Sequence, residues 1–137
     1  MKKQKWTIFF AVLLIVVGLV YFCRDPSELP LDVDNATSVR FSIIPQDNRN
    51  YTVTDDDRVK EIVCVINELD LEEGTKRPNR TSNNYYYFGI HIGAEDVAVE
   101  LDEYIISINN EIYQTDTLEL CALLERTCYD VMEGIIE

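Results

Sequence analysis

The sequence predicts an α+β protein, with an N-terminal single transmembrane helix followed by an antiparallel sheet that carries two helices on one face. Three observations predict it. Trp6 to Cys23 is an uncharged, almost wholly apolar run. Two later segments place apolar residues at helical spacing, and between them four stretches alternate with period two, separated by short turns. The chain has 137 residues, and the part beyond the apolar run suffices for one modest domain.

The apolar run spans eighteen residues, about 27 Å as a helix, close to a bilayer core. Trp6 and Tyr21 stand near its ends, where amphipathic rings favour an interface. Lys2, Lys3 and Lys5 precede it. The positive-inside rule then predicts a cytoplasmic N-terminus, a signal anchor and a single-pass protein of the cell membrane with an extracytoplasmic C-terminal domain. A cleaved signal peptide needs small residues before its cut site, and a lipoprotein needs one before its cysteine. Val20, Tyr21 and Phe22 before Cys23 are bulky. The expected organisation is a tip and anchor over 1–23, a linker over 24–36 rich in proline and acid, and an α+β domain over 37–137.

The domain reads in order. Thr37–Pro45 alternates as a half-buried strand, 46–50 is a polar turn, and Tyr51–Thr54 returns as a second strand. Thr54 or Asp55 caps a helix whose first turn holds Asp55, Asp56 and Asp57. Val59, Ile62, Val63, Ile66 and Leu69 form its apolar stripe, ending near Leu71. Residues 72–84 are the longest polar stretch. Strands come next at 85–92, 97–101, 104–108 and 111–115, a meander. Asp116 caps a last helix to about Glu133, with Leu120, Cys121, Leu124, Cys128, Val131 and Ile135 on one face.

Charge restricts the partners. All 25 acidic residues follow Cys23, with only nine Lys and Arg among them, a net −16. Nucleic acid is excluded as a partner, because its binding needs cations to displace counterions from phosphates. A basic protein, a cation or simple solubility fits such a surface. Cys121 and Cys128 lie about 10.5 Å apart along one helix, too far to bridge. Cys64 points about 160° from its helix's apolar stripe, so no internal disulfide is expected. Without CxxC or paired histidines no zinc site is expected. Asp32–Asn35 and Asp55–Asp57 lack the EF-hand pattern and read as caps or solvated turns. No cofactor fingerprint occurs.

The candidate partner surface has two parts. His91, the single histidine, falls on one strand face with Tyr85 and Tyr87, opposite the core set Tyr86, Phe88, Ile90 and Ile92. A row of Tyr and His on an open sheet suits a glycan or a partner's surface. Lys76, Arg77 and Arg80 form a basic island suited to an anionic envelope polymer. No nucleophile-and-base constellation is apparent.

The segments "TVTDDDRVKEIVCVINEL" and "IYQTDTLELCALLE", with the loop and meander between them, resemble small extracytoplasmic domains of membrane-anchored Gram-positive proteins that have no assigned activity. The resemblance covers about residues 37 to 125 and implies fold and location only. The expected function is a membrane-tethered extracytoplasmic interaction domain, not an enzyme, that binds an unknown protein or envelope component. The second reading is an immunity or inhibitor protein that neutralises a basic toxin or hydrolase. The third, a carboxylate enzyme, needs a cleft gathering acids of raised pKa.

Overall fold

A computed structural model describes residues 2–22, 28–45, 47 and 49–137. The elements are α1 (Lys2–Phe22), β1 (Ala36–Ile43), β2 (Tyr51–Val53), α2 (Asp56–Glu68), β3 (Glu72–Glu73), β4 (Tyr86–Ile92), β5 (Glu95–Leu101), β6 (Ile105–Ile108), β7 (Glu111–Gln114) and α3 (Leu118–Met132). The fold is α+β. All seven strands pair antiparallel in one sheet of order β2-β1-β4-β5-β6-β7-β3.

The membrane reading does not stand. Among the described residues, no helix is long and apolar enough to cross a membrane. Lys2, Lys3 and Lys5 occupy the start of α1. The uncharged part of α1, Trp6 to Phe22, rises about 25 Å, short of a hydrocarbon core of about 30 Å. This corrects the expected transmembrane helix, the signal anchor, the membrane as a partner through residues 6–23, and the single-pass localisation with an extracytoplasmic domain. Cys23, on which the lipoprotein alternative turned, lies outside the described residues.

The core lies between the sheet and the two later helices. Strand alternation sends Val39 and Phe41 of β1, Phe88 and Ile90 of β4, and Val97 and Val99 of β5 to one face. There they cluster with Val59, Ile62 and Ile66 of α2 and Leu120 and Leu124 of α3. The Phe41 and Phe88 rings sit 5.4 Å apart, directly opposed in register. Asp55 caps α2 by accepting from the Arg58 N–H at 2.9 Å. The neighbouring N–H groups of Thr54 and Asp55 donate to the backbone oxygen of Glu137, at 2.8 and 2.7 Å. Four N–H groups at a helix start lack partners within the helix, and these contacts serve that end.

Arg58 ties the helices together. It is nearly buried, bonded to Asp130 at 2.7 Å and to the Thr127 hydroxyl at 3.1 Å on α3, with Glu61 at 3.4 Å. Gly134, at φ 69°, ends α3 in the left-handed conformation that glycine adopts without strain. The β6–β7 turn is Asn109-Asn110, both at positive φ, which suits a tight hairpin.

Two segments differ from expectation. Residues 29–33 dock onto the domain: Leu31 is buried, and the Asn67 side chain bonds both its N–H and its carbonyl. Within the polar stretch, Glu72 and Glu73 pair with Gln114 and Tyr113 as a seventh strand.

Candidate functional site

The helices cover one face of the sheet, and the opposite face carries Arg40, with Arg77 and Arg80 beside it. The outward row on β4 is Tyr87, Gly89 and His91. In register beside it stand Arg40 against Gly89 and Ser38 against His91 on β1. On β5 stand Glu100, Ala98 and Asp96. Two concavities adjoin on this face and share Tyr87 and Ala98. One, of about 540 Å³, includes Ser38, Arg40, Thr52, Gly89 and His91. The other, of about 390 Å³, includes Arg77, Arg80, Tyr85, Glu100 and Ser107. Together they make a trough that crosses the strands.

Its floor is low because the central residues are small. Gly89 sits inside a strand, where glycine weakens pairing, yet has no positive φ, and a Cβ there would meet only the Val97 carbonyl at 3.9 Å. Neither backbone conformation nor packing requires glycine at that position. Ala98 lies directly across from it.

The backbone at the basic end of the trough is fastened to the sheet. Asp102 is buried and accepts three backbone N–H bonds: from Asn79 at 2.7 Å, and from Tyr104 and Ile105 at 2.9 Å each. Pro78 is buried, and Asn84 donates to Glu103 at 2.9 Å. The polar stretch is thereby fastened beside the sheet, and Arg77 and Arg80 come with it. Glu100, nearly buried, accepts from the Tyr85 hydroxyl at 2.6 Å and faces Arg80 at 3.5 Å. Burial, followed by the Glu100 carboxylate, pushes the Tyr85 phenol well above its usual range, so it stays a donor. Among the described residues the Arg40 and Arg77 guanidinium groups make no hydrogen bond or ion pair.

Of the residues expected to form the surface, Arg77, Arg80, Tyr85 and Tyr87 meet in one concavity, and His91 lines the other. Lys76 is exposed and lines neither. Tyr85 was expected beside Tyr87 on an open face; only 3% of it is exposed, because the fastened loop covers that end of the sheet. Arg40 was missed. Its alternation within β1 marks it only as outward-facing, and nothing local places it beside Gly89. The signal that was available is the glycine interrupting YYYFGIHI.

His91 Nδ1 lies 2.8 Å from Asp96 Oδ1, and Ser38 is its register partner on the other side. The row has the composition of a hydrolytic triad. Among the described residues the Ser38 hydroxyl makes no hydrogen bond to the His91 ring, and the N–H groups of the central strands are committed to the ladder.

A further concavity, about 910 Å³, lies elsewhere, where the end of α2 meets β3, β6 and the start of α3. Glu68, Asp70, Glu72, Asp116 and Glu119 line it with the exposed Tyr104 and Leu118, and it contains no basic residue. The trough is the stronger candidate because it concentrates several chemical types on the floor of a paired sheet. Among the described residues no group of three or more His, Cys, Asp or Glu is placed to hold a metal ion. No family model, curated protein or solved structure matches the chain, so the functional reading rests on the geometry of its sheet face.

Proposed function

We propose that the domain is a non-enzymatic binding module whose recognition surface is the helix-free face of the sheet. One observation carries the reading. In a chain of net charge −13, Arg40, Arg77 and Arg80 gather around Tyr87 over a floor of Gly89 and Ala98. Ala98 belongs to both concavities, so Ala98→Tyr fills both with a residue that strands accept readily. Glycan and peptide arrays probed with wild type and this variant test the proposal. Probes retained by the wild type are expected to be lost by the variant, with its thermal midpoint unchanged within a few degrees. Retention by both proteins would overturn the proposal. So would turnover of a retained probe that Ser38→Ala abolishes, since that would make the row an active site.

The acidic concavity favours a second reading, an inhibitor-like protein docking a basic partner. Its binding would weaken steeply with salt, and Asp70→Asn with Glu119→Gln would reduce it. Salt-insensitive binding of a basic protein probe would count against it.

A further inference from the structure

We infer that the trough takes a carboxylate-bearing sugar, a short uronic-acid oligosaccharide, with one ring seated on Gly89 and Ala98 and its carboxylate on Arg40. The inference rests on the reading of this face as a binding surface and adds the class of ligand.

Steric room comes first. Tyr87 and His91 stand on either side of Gly89, with Cα atoms about 13 Å apart by strand geometry. The missing side chain between them opens a slot at the centre of the sheet, where side chains would otherwise stand. A strand glycine that neither φ nor packing requires marks a place where something approaches the backbone closely. No register shift falls at this position: Arg40, Gly89 and Ala98 are aligned across three strands.

Charge points to an acidic ligand. Arg40 closes one end of the slot and Arg77 stands beyond the other, both without a partner among the described residues. A guanidinium presents a planar fork that matches a carboxylate with two parallel hydrogen bonds. The net charge of −13 opposes a dense polyanion. Screening over about 8 Å at physiological salt lets two local arginines attract a sparsely charged ligand all the same.

Backbone pairing separates a sugar from an acidic peptide. β4 and β5 are central strands, paired on both sides. They offer no free N–H or carbonyl to a peptide crossing them, and buried unpaired peptide groups are costly. A sugar needs hydroxyl partners and an aromatic face. The slot supplies Ser38, Thr52 and His91 for the first and Tyr87, 37% exposed, for the second.

The test uses the full chain labelled with 15N, with tetragalacturonate, its carboxyl-reduced counterpart and hexaglutamate as probes. The Gly89 amide resonance is followed together with the dissociation constant. Saturable movement of that resonance is expected with tetragalacturonate, and binding at least tenfold weaker with the reduced sugar. Arg40→Met is expected to weaken binding at least tenfold. Gly89→Val is expected to weaken it as much while leaving the thermal midpoint unchanged or raised, since valine suits a strand better than glycine. That opposition of stability and binding separates a lost site from a damaged fold. Tetragalacturonate that leaves the Gly89 resonance unmoved, or binds Gly89→Val undiminished, would overturn the inference. If hexaglutamate moves the resonance and the sugar does not, the ligand class is wrong while the binding face stands.

Discussion

Asp47 shows how much one carboxylate can be shifted at a turn. The Tyr51 hydroxyl, at 2.7 Å, does most to pull its pKa down to about 2, with the Arg49 backbone and side chain adding to it. A folded pKa below the unfolded one means that the unfolded chain binds more protons as pH falls. The stabilisation is fully present above about pH 4 and is lost between about 4 and 2. Denaturant midpoints across that window should fall more steeply for wild type than for Tyr51→Phe, which removes the main cause. Equal slopes would mean that the turn does not hold its carboxylate in solution. The cysteines offer a second check at this scale. Cys64 is exposed, whereas burial pushes the Cys128 thiol up to about 12 and raises Cys121 as well. In a Cys23→Ser background a thiol reagent should modify Cys64 in the native protein, and Cys121 and Cys128 only after unfolding. The outward angle of Cys64 and the inward stripe of the other two were legible from helical periodicity. The burial of Tyr85 was not, because a contact between residues 23 positions apart, Asn79 on Asp102, fastens the cover over it.

At the scale of elements, two polar centres hold the architecture. Replacing Arg58 with alanine removes one partner of a nearly buried pair between α2 and α3 and should destabilise the fold by about 3 kcal/mol. Arg58→Met keeps the packing and should cost less. Urea melts of the two variants decide this, and equal losses would show that charge rather than packing dominates. Asp102→Ala strands three backbone donors and should cost on the order of 3 kcal/mol. It should also release residues 76–84, seen as faster amide exchange there than in β4 and β5. The meander and both helices followed from period and turn chemistry. The strand Glu72–Glu73 did not, because two glutamates have no strand preference and pair only because β7 presents an edge.

For the whole molecule, the sequence showed the imbalance of charge but not its arrangement. Arg40 and Arg77 are 37 positions apart, and β1 meets β4 only through a pairing that skips β2, α2 and β3. No local pattern encodes that neighbourhood, whereas the inward set Phe88, Ile90 and Ile92 was plain from alternation. The same limit applied to α1. Its apolar run suggested a span, but among the described residues no helix is long and apolar enough to cross a membrane. If the trough is the working surface, charge reversal there should matter far more than elsewhere. Arg40→Glu should abolish binding of any probe retained by wild type, and Arg126→Glu on α3 should leave it within twofold. Equal effects would show that net charge, not the trough, governs recognition.

The sheet ends in β2 of three residues on one side and β3 of two on the other. Neither border is long enough to template a stranger's strand, and β3 presents two carboxylates besides. Growth by zipping backbone to backbone, the route to fibrils for many open sheets, gains little purchase on such short margins. Contact with other molecules is left to side chains on surfaces, where it can be selective and reversible.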